Sequence, residues 1–178
     1  ERGLEGAFEA MPTVSAPGDS KVMQSLFEGV LRNAGYPDVP PMPDDLGFAS
    51  VIEFREPVVE LHPDPGPGRL CVWVRRRDRQ SVSPAMVAYM ADMVPLSVAH
   101  ACDVVAGGIS LDNSIRVGSF VESEWVLLDL RPHMVSGDYG HGAVHAWSEG
   151  GTLLATASQS ASMMHFDMDN SPWLTGED

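Results

Sequence analysis

Hydrophobic and polar positions alternate with a period of two along most of the chain after residue 48, which is typical of β-strands. Runs rich in β-branched and aromatic residues are short at first and longer after residue 107, with proline or glycine turns between the early ones. The predicted strands cover residues 49–54, 57–62, 70–75, 108–117, 123–131, 142–147 and 152–164.

One segment, residues 84–101, breaks this alternation. It is poor in charge, rich in Ala and Met, and too long for an ordinary strand, and Pro84 suits the first turn of a helix. Because its apolar residues occur all round the helix, we predict that it is buried. Pro95 should bend or locally break it. Short strands, one helix and then long antiparallel strands predict an α+β architecture.

The two ends of the chain differ from this middle part. Residues 1–48 hold six of the 14 prolines and are predicted to form a linker arm. A short amphipathic helix should lie within it, with an apolar stripe formed by Met23, Leu26, Phe27, Val30 and Leu31. Residues 49–166 form the predicted domain, and residues 167–178 form an acidic tail. Because the chain begins at Glu1 and not at Met, we expect it to be a piece of something longer.

The amino-acid composition argues against several classes of binding partner. The 25 acidic and 11 basic residues give a formal net charge of −14. Such a chain is unsuited to nucleic acid or to an anionic membrane surface, both of which need Lys and Arg. No apolar run approaches the roughly 20 residues that cross a bilayer. Cys71 and Cys102 are too few for a disulfide scaffold, so a reducing cytoplasm is the expected compartment.

Two polar residues occupy positions where apolar ones belong. Asp92 is the only charged residue between Arg79 and Asp103, in the middle of the predicted buried helix. Asp92 is either part of a structural ionic site or a carboxylate with a functional role. Gln159 is the one polar residue among the odd positions 153–163 of the last strand, which alternation assigns to the core face. It is either a satisfied core amide or part of a site.

Other polar residues carry less information. Ser110 alternates with Asp112 and Ser114 on what alternation makes the polar side of its strand. His141 and His145 share a strand face without a third ligand, so we expect no metal site. The one basic cluster contains either solvated charges or an anion site for the phosphates of a nucleotide-bearing thioester. It comprises Arg75, Arg76, Arg77 and Arg79.

Several stretches resemble the C-terminal half of the acyl-CoA thioesterase II family. They are AYMADMVPLSVAH, SLDNSI, SEWVLLDLRPHMVSGDYGHG and GTLLATASQSASMM, and the arm text GLEGAFEAMPTV is similar to the connection that follows the first domain of that family. The resemblance covers residues 1–166. It implies a hotdog fold, in which an antiparallel sheet wraps around one long central helix. It also implies that this chain is the second half of a double hotdog.

The same resemblance implies hydrolysis of acyl-CoA to free acid and CoA, without a cofactor. The family's catalytic Asp, Thr or Ser, and Gln fall on Asp92, Ser110 and Gln159. Asp92 would accept a proton from the attacking water, while Ser110 and Gln159 hold that water by hydrogen bonds. We expect the chain to associate with an N-terminal hotdog half or with a second copy of itself, because hotdog sheets pair edge to edge.

The surroundings of these residues depart from the family pattern. After the motif [TS]-[IL]-D-H-S the family has an aromatic pair and His-Arg-Pro, whereas this chain continues from Asn113 to Ser119 as NSIRVGS. Ser136-Gly-Asp-Tyr-Gly140 stands where the family has Ser-Gly-Gly-Arg-Gly. A non-catalytic hotdog that binds acyl-CoA or scaffolds an assembly is therefore an alternative. A hydratase is a weaker one, since no His lies where that chemistry would need it.

Overall fold

Six antiparallel strands and two short helices form the fold within residues 47–57 and 68–166. The structure is a computed structural model and describes residues 10–18, 28, 31–32, 35, 47–57 and 68–166. The strands are β1 (Ile52–Arg55), β2 (Leu70–Arg76), β3 (Ala106–Val117), β4 (Trp125–Ser136), β5 (Tyr139–Ser148) and β6 (Leu153–His165). The helices are α1 (Pro84–Met90) and α2 (Val94–Ala101), and a 3-10 turn covers Gly47–Ser50.

The strands form one sheet in the order β1-β2-β4-β5-β6-β3, with every pair antiparallel. α2 packs across β3, β4, β5 and β6, so its apolar residues share one core with the inner face of the sheet. β3 is an edge strand of this sheet and is 12 residues long. The α+β class and the central helical segment predicted from the sequence are confirmed.

The helical segment is interrupted at residues 91–93, between α1 and α2. Pro95 explains the break, because it has no N–H to donate to the carbonyl of Ala91 and its ring crowds the preceding turn. The break predicted at this proline is thus confirmed, and it falls on its N-terminal side. Asp92 therefore lies in a non-helical link and is only partly buried, which corrects its predicted position in the middle of a buried helix.

α1 is also less buried than predicted. Its Pro84, Ala85 and Tyr89 are exposed, although Val87 and Met90 are fully buried. The sheet of this chain covers only one side of α1, so apolar composition all round the helix did not ensure burial all round.

A second apolar cluster lies on the outer face of the sheet. It consists of Cys71, Trp73, Leu127 and Trp147, with Met11 and Val14 of the arm packed against it. The indole N–H of Trp73 donates to the carbonyl of Ser15 at 2.8 Å. Part of the predicted arm thus lies against the outer side of the domain.

Some predicted elements lie outside the described residues. The strand predicted at residues 57–62 is described only at Pro57, which forms an isolated bridge to Pro17. Of the predicted amphipathic helix, Glu28, Leu31 and Arg32 are described as helical, and Leu31 is fully buried. The acidic tail, residues 167–178, is not described. No helix in the described ranges is long and apolar enough to cross a membrane.

Candidate active site

Asp92, Ser110 and Gln159 meet in one hydrogen-bonded group on the inner side of the sheet. The hydroxyl of Ser110 donates to Asp92 Oδ1 at 2.8 Å. The amide Nε2 of Gln159 donates to Ser110 Oγ at 2.8 Å and also to Asp92 Oδ1. Three separate elements supply these side chains, namely the break between the helices, β3 and β6. Their catalytic role remains a prediction.

Gln159 is fixed by the helix that follows the break. Its side chain is fully buried, as alternation predicted, and its Oε1 accepts the backbone N–H of Val94 at 3.0 Å. Val94 is the first residue of α2, and Met93, the capping residue, makes no side-chain hydrogen bond to the helix. Gln159 therefore takes the place of a side-chain cap. Because its oxygen is committed to Val94, its NH₂ group must face Asp92 and Ser110.

A β-bulge in β3 turns Ser110 toward the site. Ser110 is opposite Ala161, whereas Asp112 is opposite Ser160, so Leu111 is an extra residue without a partner of its own. Because the extra residue changes which positions face inward, Ser110 shares the inner face with Ala161, while Asp112 lies on the other side. The prediction that Ser110 lies on one face with Asp112 and Ser114 is wrong for this reason.

The bulge also brings Asn113 into the site, although Asn113 was not among the site residues predicted from the sequence. Asn113 is opposite Gln159 in the β3–β6 register, and its Nδ2 donates to Asp92 Oδ1 at 3.4 Å. It stands where the resembled motif has His. One signal could have identified it: Asn113, Ile115 and Val117 alternate as a mostly apolar set, which places Asn113 on the inner face.

The two oxygens of Asp92 have different surroundings. Oδ1 accepts three hydrogen bonds, all from neutral donors, whereas Oδ2 accepts none from any residue that the structure describes. Within the same residues Asp92 forms no ion pair. Ser110 and Asn113 are exposed and Asp92 is partly buried, so the group is open to solvent on the side of β3. The arrangement can orient a carboxylate while leaving one of its oxygens available to an incoming proton donor.

The basic cluster near residue 76 is largely engaged within the protein. Arg75 donates to Glu53 at 2.7 Å and to Glu124 at 2.6 Å, and its guanidinium lies 4.4 Å from the ring centroid of Trp125. Arg76 pairs with Asp78. These contacts account for Arg75 and Arg76 as structural ion pairs, so an anion site made by the whole cluster is not supported.

A buried ion cluster lies on the outer face. Asp129 is fully buried and accepts hydrogen bonds from Arg69 Nε at 2.7 Å and from Arg131 Nη2 at 2.6 Å. Burial alone would raise the pKa of Asp129, but the hydrogen bonds and charges of both arginines hold that pKa below its usual value. This cluster is on the opposite face from Asp92 and fastens the start of β2 to β4.

Several known structures are similar to this chain in fold. A protein from Novosphingobium aromaticivorans provisionally described as a thioesterase is 27% identical, with a TM-score of 0.57 over 90% of this chain and 58% of that one. A hotdog protein of unknown function from Alicyclobacillus acidocaldarius is 17% identical, with a TM-score of 0.67 over 93% and 59%. The acyl-CoA thioesterase II TesB2 from Mycobacterium marinum is 19% identical, with a TM-score of 0.60 over 94% and 60%.

These likenesses establish the hotdog fold. The chain spans less than two thirds of the length of each of these three structures. No curated protein sequence matches it. The sequence profile of the acyl-CoA thioesterase C-terminal domain matches residues 33–163, which is well over half of the chain and contains Asp92, Ser110 and Gln159. The chain therefore belongs to the family of acyl-CoA thioesterase C-terminal domains.

Proposed function

We propose that the protein hydrolyses acyl-CoA thioesters to a free acid and CoA, with Asp92 as the general base. The observation that carries this proposal is the group in which Ser110 and Gln159 both donate to one oxygen of Asp92 and leave its other oxygen unengaged by the described residues. Membership of the thioesterase family supports the substrate class.

The hydrogen bonds dictate how a water molecule would be held. Ser110 Oγ donates to Asp92 and accepts from Gln159, so it keeps one lone pair for a further donor. A water bridging Asp92 Oδ2 and Ser110 Oγ would donate one proton to each of them. Its remaining lone pairs would then be available for the carbonyl carbon of the thioester, which favours direct attack by water.

The reaction balances without a cofactor. Asp92 Oδ2 takes a proton as the water oxygen bonds to the carbonyl carbon, and the carbonyl oxygen becomes an oxyanion. The oxyanion collapses, the carbon–sulfur bond breaks, and the CoA sulfur receives the proton held by Asp92. The products are a carboxylic acid and the CoA thiol, and Asp92 is again a carboxylate.

The test is CoA release from acyl-CoA thioesters of short to long chain, followed with a thiol reagent. Asp92→Asn keeps the size of the side chain but removes the base, so turnover should fall at least about 100-fold while acyl-CoA binding persists. Asp103→Asn is the matched control, because Asp103 is exposed and Asn tolerates its positive φ of 53°. Folded wild-type protein that binds acyl-CoA but releases no CoA would overturn the proposal in favour of a binding module.

We further propose that the edge strand β3 pairs with an N-terminal hotdog half or with a second copy of this chain. No described strand pairs with the outer edge of β3, so this 12-residue edge, with exposed Ile109 and Leu111, offers backbone groups and apolar surface for such pairing. Sedimentation should show an assembly larger than a monomer, and Ile109→Lys should weaken it. A monomer at all concentrations would contradict pairing between copies of the chain.

The compartment that we propose is the cytoplasm. The sequence contains only two cysteines, Cys71 and Cys102, which are too few for a disulfide scaffold, as expected of a protein kept under reducing conditions. Fractionation of cells that express the protein tests this directly, and recovery of the protein outside the cytoplasm would contradict it.

A further inference from the structure

Asn113 belongs to the hydrogen-bonded group around Asp92, although the steps of the proposed reaction do not involve it. Its Nδ2 is 3.4 Å from Asp92 Oδ1, the oxygen that also accepts from Ser110 and Gln159. Asn113 is exposed, so burial does not require its amide to find a partner in the protein. Its contact with Asp92 thus calls for an explanation within the site.

The three donors approach Asp92 from two strands. Ser110 and Asn113 belong to β3 on either side of the bulge at Leu111, and Gln159 belongs to β6 directly opposite Asn113. A carboxylate turned about its Cβ–Cγ bond would move Oδ1 away from all of them at once. The donors therefore fix the plane of the carboxylate, with one oxygen facing the protein and the other facing the solvent-open side.

We propose that Asn113 is a positioning residue that holds the carboxylate of Asp92 so that Oδ2 is presented to the attacking water. It acts through Asp92 and not on the substrate. Because its amide does not ionise, it orients the base without adding a charge beside it. A His at this position, as in the resembled motif, would add a cation at acidic pH. This inference rests on the proposed hydrolysis, which makes Asp92 the base.

The test compares pH profiles of kcat for variants at two adjacent positions of β3. Asn113→Asp places a negative charge beside Asp92, which disfavours a second ionised carboxylate, so the acid limb should move up by about one pH unit. Asn113→His adds a cation when protonated, and the limb should move down. Ser114→Asp is the matched control, because Ser114 is opposite Ser158, a register position on the outer face. The control should leave the limb in place.

Removal of the amide gives a second readout. Asn113→Ala should lower kcat about fivefold, with KM and melting temperature close to wild type, because one hydrogen bond to a charged group is lost at an exposed site. Unchanged kcat in Asn113→Ala would overturn the proposal. Equal shifts of the acid limb in Asn113→Asp and Ser114→Asp would do the same, since they would reflect net charge and not position.

A measurement without turnover separates this inference from the proposed function. The side-chain carboxyl carbons of the aspartates can be labelled with ¹³C and titrated by NMR, with the Asp92 signal assigned from Asp92→Asn. The titration midpoint of that signal should rise in Asn113→Asp and stay constant in Ser114→Asp. If wild-type protein releases no CoA but Asn113→Asp still shifts the midpoint, the proposed hydrolysis is wrong and the contact between Asn113 and Asp92 is supported. If neither variant moves the midpoint, Asn113 does not position Asp92.

Discussion

The side-chain oxygen of Gln159 accepts the backbone N–H of Val94 at 3.0 Å, so one residue of β6 both caps α2 and faces the carboxylate of Asp92. The same side chain thus has a structural role, the capping of α2, and a proposed functional role beside Asp92. A substitution at Gln159 is expected to affect stability and turnover together, whereas a substitution of Ser110 should affect turnover alone.

Gln159→Met keeps much of the volume of the side chain but can neither accept from Val94 nor donate to Asp92. The buried N–H of Val94 would lose its partner, at a cost of about 1–3 kcal/mol in the free energy of unfolding. Turnover should fall at least about 100-fold, because Asp92 and Ser110 lose the amide that orients them. Urea unfolding and CoA release measure the two effects. Ser158→Ala, at an outer-face position of the same strand, is the control and should leave stability and turnover unchanged within error. A fully active Gln159→Met would show that the amide has no role in turnover.

Ser110 provides a test of direct water attack. Ser110→Thr keeps the hydroxyl and should retain most of the activity, whereas Ser110→Ala removes both the donor to Asp92 and the acceptor for water, and should lower kcat about 100-fold. Because Ser110 is exposed, the melting temperature of Ser110→Ala should change little. Mass spectrometry of wild-type protein quenched during turnover should reveal no acyl group on Ser110. An acylated Ser110 would replace water attack with a covalent mechanism.

Gly142 lets α2 come close enough to the sheet for Gln159 to reach Val94. A Cβ atom there would lie 2.6 Å from the carbonyl oxygen of Arg131 and 3.0 Å from Val94 Cγ1. Gly142→Ala should therefore lower the free energy of unfolding by about 1–3 kcal/mol and reduce turnover, since the break between the helices must shift. Gly150→Ala is the control, because its nearest neighbour would be 3.8 Å away. Thermal unfolding and CoA release distinguish the two variants, and equal melting temperatures would contradict the close approach.

The ion cluster of Asp129 predicts how stability depends on acidity. Its pKa is lower in the folded state than in the unfolded chain, so its contribution is fully present above the unfolded value of about 3.9 and is lost as the pH falls through the folded value. Asp129→Asn should cost about 3–5 kcal/mol at pH 7, because it leaves Arg69 and Arg131 without their carboxylate. Urea unfolding between pH 7 and pH 3 should show a shallower loss of stability in the variant than in wild type. Parallel curves would show that Asp129 does not carry the dependence.

Alternation predicted the sheet well, because strands with one face on the core must keep a period of two. Gln159 could be found for the same reason, as a polar residue in an apolar set. The surroundings of Asp92 could not be predicted in this way, because they depend on where Pro95 breaks the helix and on how much of the helix the sheet covers. The face predicted for Ser110 was wrong, because nothing in the residue pattern indicates the bulge at Leu111. The resemblance to a family, and not the pattern, identified Ser110 as a candidate.

The bulge has a consequence for which changes β3 can accept. The side chain of Leu111 is 56% exposed, so its replacement would leave the core of this chain intact and would change only the apolar surface that we propose for pairing. Removal of the residue itself would leave Ser110 and Asn113 two positions apart, opposite Ala161 and Gln159, and regular alternation would keep them on one face. The bulge is thus what lets β3 carry one residue more than the opposing stretch of β6 without separating these two side chains. If Leu111 were instead paired regularly, Ser110 and Asn113 would be three positions apart on an unbulged strand, and only one of them could face Asp92.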